Sequence, residues 1–349
     1  MSGTTSKKRY NIPLHTSASG AHIMLQKDIF EQMTDPKTTQ ATQNFEHFTV
    51  KMAIELAAPH TWPAAILPVL IATCCAAANG SPLSAVMVCI LLVICILMQA
   101  SVNTFNDYYD YVKGSDSKDD DVDPTDAVLV YNNVNPKSAL RLAVGLLVVA
   151  FMLGAYVIYQ AGWIPLVLGI IGAAIVVLYS AGKTPISYLP IGEAVSGIIM
   201  GGLIPLACYQ ALTGTLDFFV LLWSIPTIIG IGLIMMTNNT CDIEKDIEAA
   251  RHTLPTKLGR KNARKLYHAL VYVWVAAIAL IIVLRFPGGT IVLPFGILAS
   301  YPLLKVLLKN PLAPMTRVGA MGQICSVNIA LGAFYAASIL ASSAISLTV

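Results

Sequence analysis

Residues 83–110 read LSAVMVCILLVICILMQASVNTFNDYYD. From Leu83 to Phe105 no side chain is charged, and Val, Ile, Leu, Met and Cys dominate. About 20 such residues cross the hydrocarbon layer as a helix, because each residue rises about 1.5 Å and the helix satisfies its own backbone hydrogen bonds. The run therefore predicts a membrane-crossing helix. It ends on Asn106, Asp107 and Asp110, a group of hard oxygen donors at the mouth of an apolar segment.

Eight further apolar runs surround it, near 57–78, 138–160, 162–181, 191–212, 217–239, 266–285, 289–308 and 318–346. Composition agrees: 56% of residues are apolar, 12% are charged and mean hydropathy is +0.69. Soluble domains carry about a quarter charged residues, so a soluble globular reading is excluded. The expected architecture is an all-α integral membrane protein, with a nine-transmembrane-helix bundle over 51–349 and a polar cytoplasmic extension over 1–50. That extension has no apolar stretch after Lys7, Lys8 and Arg9, so no cleavable signal is expected. The seven cysteines fall mostly inside apolar runs without C-x-x-C spacing and read as small core residues.

Nine spans put the N-terminal stretch and the connections after spans two, four, six and eight on one side. Of the 22 Lys and Arg residues, only Arg285 falls on the other side. The positive-inside rule then assigns the basic side to the cytoplasm and predicts a multi-pass protein of the cell membrane. Opposite connections such as Asn79 to Pro82 and Gln160 to Gly162 are short and bland, so chemistry is expected at the cytoplasmic end.

Eight of the 19 acidic residues lie between Asp107 and Asp126, and four between Asp242 and Glu248. An undifferentiated acidic run is ordinarily a solvated surface. Here spacing argues for more: Asn106, Asp107 and Asp110 share a helix end, and residues three apart share a helix face. In NNTCDIEKD, Asp242 and Asp246 stand four apart, with Asn238 and Asn239 one turn earlier. The arrangement recurs four spans on, as in a parallel internal repeat. Such oxygen donors suit Mg²⁺, which takes one or two carboxylates together with waters and substrate phosphate oxygens. Asn106, Asp107, Asp110, Asp242 and Asp246 are accordingly the expected metal ligands, and two such clusters can clamp a diphosphate.

At these residues the chain resembles the UbiA superfamily of intramembrane aromatic prenyltransferases, from about Pro59 to the last span. Within it the chain looks most like the 1,4-dihydroxy-2-naphthoate prenyltransferases of menaquinone synthesis, a resemblance carried by NDYYDYVKGSD and by DIEKDIEAARHTLPTKLGRKNAR. PHTWPAAILPV and YSAGKTPISYLPIGE fit as well. The resemblance implies a nine-helix bundle around a central cavity open toward the cytoplasm, and transfer of a polyprenyl group from its diphosphate to an aromatic, dihydroxynaphthoate-like acceptor.

It also implies site roles. Asp107, Asp110, Asp242 and Asp246 would serve catalysis through the metal. Tyr179 and Lys183 would lie near the reacting diphosphate. Asn103, Asn106, Lys113, Asp116, Asn239, Arg251 and Lys257 would contact substrate. For Lys113 and Lys257 an ordinary positive-inside charge is the competing reading. His60 and Glu193 stand at span edges, where contact with the acceptor competes with simple interfacial placement. Three positions depart from the family pattern, Ala58, Tyr131 and Cys241, each where a basic residue is usual. Asn133 stands where glycine is common, and asparagine tolerates positive φ.

Other readings of the residues remain: an ion-coupled transporter, a hydroxybenzoate-type prenyltransferase, or a catalytically silent relative that still binds metal. A transporter should carry acids near mid-span rather than at helix ends. The expected partners are the prenyl diphosphate, the aromatic acceptor and the lipid bilayer, with no nucleic acid.

Overall fold

The computed structural model describes residues 45–114, 128–343 and 347–348. The chain divides into two compact units, 1–45 and 46–349, and the second carries the fold described below. Most of the N-terminal extension, and Asp116 with the acids that follow it in the first loop, lie outside the described residues.

Helices α1 (Val50–Ala57), α2 (Pro63–Ala78), α3 (Ala85–Lys113), α4 (Val128–Tyr131), α5 (Pro136–Ala161) and α6 (Ile164–Ser180) form the first half. The second half comprises α7 (Gly192–Ile198), α8 (Ile204–Thr213), α9 (Val220–Trp223), α10 (Ile225–Cys241), α11 (Ile243–Glu248), α12 (Leu254–Arg285), α13 (Leu293–Lys309) and α14 (Arg317–Ala341). A two-residue parallel pairing of Leu83–Ser84 with Leu347–Thr348 is the only strand structure among the described residues.

By length and composition, α3, α5, the continuous Gly192–Thr213 unit, α12 and the final Pro314–Ala341 helix can each cross a membrane. Val50–Thr61 and Pro63–Ala78 form a pair bent by 54°, and α6 and α10 are shorter apolar helices. Each apolar run read from the sequence overlaps one of these helices or α13.

Local chemistry explains the ends and breaks. Ser84 caps α3 by accepting from the Met87 N–H, and Gly114 ends it in a left-handed turn at φ 69°. Asn135 caps α5 directly before Pro136. Asn133 adopts φ 47°, as the sequence allowed. α1 ends at Ala58, a non-glycine residue at φ 45°, four residues before the 54° break at Trp62.

Between α7 and α8, Ile199–Leu203 widens into a π-helical turn. Pro205 lacks an N–H and would clash with the carbonyl four residues back, that of Gly201. The Thr227 hydroxyl donates to that carbonyl at 2.9 Å, which satisfies it inside the bundle. A Cβ on Gly197 or Gly201 would come within 2.5 Å of Ile228 backbone atoms, so these two small residues permit the close approach of α7 to α10.

The two ends of the bundle differ in chemistry. At one, Arg285 donates to Asn79 at 2.6 Å and lies over the Trp223 ring, while Asn79 donates to Tyr209. These contacts tie the Asn79–Pro82 connection to α8 and to the ends of α9 and α12. At the other end the two acidic loops meet.

Candidate active site

Asp107 and Asp110 lie in the last two turns of α3, and Asp242 follows the end of α10. The chain then makes the single short helix α11, which carries Asp246, and turns through Ala250 at φ 54°. This turn returns Arg251 to its own loop, where its N–H donates to the Asp246 carbonyl at 2.7 Å. The Arg251 side chain extends toward α3: one terminal nitrogen donates to Asp110 at 3.2 Å, and the other lies 3.6 Å from Asp246. The guanidinium rests over the Tyr188 ring at 4.6 Å, and Tyr188 accepts the His252 N–H through its carbonyl.

Asp246 is almost fully buried, and the Thr253 hydroxyl donates to it at 3.0 Å. Burial pushes its carboxyl up to about 6, against the opposing pull of Arg251 and the Thr253 hydrogen bond; Asp242 and Glu193 add to the rise. For Arg251 burial works against the charge, but Asp110 and Asp246 outweigh it and hold the guanidinium above its ordinary value. The site therefore already places one positive group between carboxylates from two distant loops.

The other expected residues take distinct places. Asp107 is buried, and its two oxygens accept the N–H groups of Val128 at 2.9 Å and Leu129 at 3.3 Å. Expected as a metal ligand, it here holds the first turn of α4, because a carboxylate beside unsatisfied helix-start N–H groups is strongly held. Asn106 accepts from the Ser180 hydroxyl, which draws the end of α6 against α3. Asn103 donates to the Ala57 carbonyl at 3.1 Å and to Thr61 at 2.8 Å, tying α3 to the bend after α1.

Asn239 donates to Glu193 at 2.8 Å, and the second Glu193 oxygen is buried without a partner among the described residues. The Tyr179 hydroxyl is likewise buried and unpartnered there. Lys183 stands exposed on the loop after α6, and Lys257 is exposed on the first turn of α12. Lys113 closes α3, and Asp116 lies outside the described residues.

In the sequence Arg317 is only one of the 21 basic-side charges. It donates to Asp242 at 2.9 Å and to Asn238 at 2.7 Å, binding the second motif to the start of α14. Cys241, where a basic residue is usual, is fully buried, and Arg260 donates to its carbonyl and that of Thr240. These contacts satisfy carbonyls left open at the end of α10.

Beneath the polar residues an apolar pocket of about 150 Å³ opens between α3, α5, α6 and the α7–α8 unit. Met98, Gln99, Val102, Gly172, Val176 and Leu203 line its part nearest the acids. Gln99 donates to Asn103 at 3.2 Å, so the pocket begins one helical turn from the polar site. Among the described residues no three acids, histidines or cysteines close on one point in a metal-binding arrangement. The donors nonetheless suit a hard divalent cation: they are carboxylate and amide oxygens, and Asp110 and Asp246 already share a cationic group.

The UbiA prenyltransferase family model matches residues 65–317. The chain belongs to this family. It is 31% identical over 285 residues to 1,4-dihydroxy-2-naphthoate octaprenyltransferase of Bacillus subtilis (strain 168), across 80% of this chain and 88% of that protein. It is 26% identical over 309 residues to human UbiA prenyltransferase domain-containing protein 1, across 83% of each. The structure of a UbiA homolog from Archaeoglobus fulgidus bound to DMAPP and Mg²⁺ superposes with a TM-score of 0.54 at 16% identity, covering 83% of this chain and 99% of that one. At that identity the likeness bears on the fold alone. As a UbiA member, the protein is a multi-pass membrane prenyltransferase.

Proposed function

We propose that this prenyltransferase moves a polyprenyl group from its diphosphate to 1,4-dihydroxy-2-naphthoate, in a Mg²⁺-dependent step of menaquinone synthesis. The observation that carries the reading is the convergence of Asp110 and Asp246 on Arg251, with an apolar pocket that begins at Gln99 and Val102, about two turns back along α3. The Bacillus relative, named for naphthoate octaprenyl transfer, and the archaeal homolog bound to DMAPP and Mg²⁺ support it.

Asn106, Asp110, Asp242 and Asp246 would hold the metal, which when bound neutralises charge on the departing diphosphate. Asp107 would act one step removed, by fixing α4 beside the site. Arg251 would turn from the carboxylates to the diphosphate, joined by Lys183 from the loop after α6, and both favour charge growing on the leaving oxygens. The C–O bond breaks, the electron pair leaves with the diphosphate, and the allylic carbon becomes cationic. Tyr179 would present its ring to that cation. The electron-rich ring carbon that bears the carboxylate then forms the new C–C bond, and loss of carbon dioxide returns the electron pair to the ring and restores aromaticity.

The apolar pocket would take the isoprenoid nearest the diphosphate, with the rest of the chain in the bilayer. Nine crossings, with the acidic end in the cytoplasm of the cell membrane, complete the proposal and follow the distribution of Lys and Arg. Purified protein supplied with several prenyl diphosphates, and with dihydroxynaphthoate in competition with 4-hydroxybenzoate, tests it. Prenylated, decarboxylated naphthoate is expected; exclusive prenylation of hydroxybenzoate would overturn the acceptor assignment.

A further inference from the structure

The cytoplasm-facing half of α12 carries basic residues that the prenyl-transfer site does not use. After Gly259, where the backbone takes φ 71°, Arg260, Lys261, Arg264, Lys265 and His268 line one groove. Arg260 is neutralised by Glu244, with contacts of 2.6 and 2.7 Å. Among the described residues no carboxylate pairs with Lys261, Arg264 or Lys265, so three uncompensated positive charges stand within little more than one turn. Arg264 reaches the Asn310 carbonyl through one terminal nitrogen at 3.3 Å. Its Nε, and Nε2 of His268 one turn on, are buried without hydrogen-bond partners there. Buried nitrogens left unpaired are costly, and an acceptor reaching into the groove would satisfy them.

The surface below the groove says what kind of molecule brings that acceptor. α12 buries Ala263, Tyr267, Val271, Trp274, Ile278 and Ile282 in the bundle. Its outer face continues from Lys261 and Lys265 through Tyr272, Val273 and Leu280, which are 63%, 52% and 59% exposed. Cations at the helix end, then an exposed tyrosine, then an aliphatic stripe match a membrane interface in order and depth. A free anion would use the cations alone, whereas a phospholipid uses the whole stripe: phosphate on the cations, glycerol and ester groups near Tyr272, and acyl chains along Val273 and Leu280.

We propose that the groove of Lys261, Arg264, Lys265 and His268 binds the phosphate headgroup of an anionic phospholipid. Clusters of Lys and Arg at the cytoplasmic end of a span attract anionic lipid. The site lies apart from Asp110, Asp246 and Arg251 and holds whether or not the acceptor assignment does.

The test uses the full chain purified in detergent, followed by native mass spectrometry and thermal denaturation. The probes are phosphatidylglycerol, phosphatidylcholine and inorganic phosphate, applied to wild type, to K261Q/R264Q/K265Q, and to the milder exposed pair K261Q/K265Q. Wild type is expected to retain phosphatidylglycerol over phosphatidylcholine by about tenfold or more, and to melt higher with it. The triple variant should lose that preference and the pair should show most of the loss, while prenyl transfer in phosphatidylcholine nanodiscs stays within about twofold of wild type. If the triple variant does not fold, the pair alone decides. Equal retention of phosphatidylglycerol by wild type and variants would overturn the site, and equal protection by inorganic phosphate would overturn its assignment to lipid.

Discussion

Asp110 and Asp246 share one guanidinium, that of Arg251, at 3.2 and 3.6 Å, although four apolar runs separate the two loops in the chain. One arginine thus closes the distance between the two motifs and supplies positive charge where a metal and a diphosphate would bring theirs.

Replacing Arg251 should have opposite effects on two ligands. Arg251→Gln should weaken prenyl diphosphate binding and lower kcat/KM by about a hundredfold, near 3 kcal/mol, by removing a charge-assisted contact. Without diphosphate, the same variant should bind Mn²⁺ several-fold more tightly, since a competing cation has left the carboxylates. Weaker Mn²⁺ binding, read by electron paramagnetic resonance, would show that Arg251 only holds the loops together.

The pH dependence of cation binding should follow Asp246. Its carboxyl is raised by burial to about 6 from an ordinary 3.8. Because the folded value exceeds the unfolded one, the stability this group contributes is full below about pH 4 and is lost as pH rises through 6. Cation affinity runs the other way, falling as the carboxylate takes up its proton below about pH 6. Mn²⁺ affinity that stays constant from pH 7 down to about 4 would contradict the assignment.

Asp107→Ala should act first on structure. Loss of an N-cap costs about 1–2 kcal/mol, and release of α4 should appear as a lower Tm and faster proteolysis between residues 114 and 136. Unchanged stability with lost Mn²⁺ binding would restore Asp107 to the ligand set.

Cys241→Arg should not create a better diphosphate site. The position is fully buried at the end of α10, so the charge would enter the bundle beside Arg260. A loss of about 3 kcal/mol or more is expected, seen as poor folding in detergent. A stable Cys241→Arg protein with tighter diphosphate binding would refute this.

Periodicity and hydropathy made the apolar helices legible, because a bilayer leaves an apolar run few alternatives. The acidic motifs were legible because their spacing is local. The partners that give those acids their roles were not. Arg317 reaches Asp242 across 75 residues, and Glu193 meets Asn239 across 46. No local pattern encodes such pairings. Asp107 and Asp110 looked equivalent in NDYYD, yet one turn apart along α3 they meet different elements, Asp107 the start of α4 and Asp110 the Arg251 side chain. The π-helical turn had a readable cause in Pro205, but its rescue by Thr227 depends on how α7 packs against α10.

The most direct test of the account is calorimetric binding of a non-hydrolysable prenyl thiodiphosphate, with and without Mg²⁺, to wild type, Asp110→Asn and Asp246→Asn. The account predicts Mg²⁺-dependent binding by wild type and a loss of about a hundredfold or more in each variant, with Tm within a few degrees of wild type. Wild-type affinity in either variant, or binding indifferent to Mg²⁺, would contradict a single cation and diphosphate site shared by the two loops.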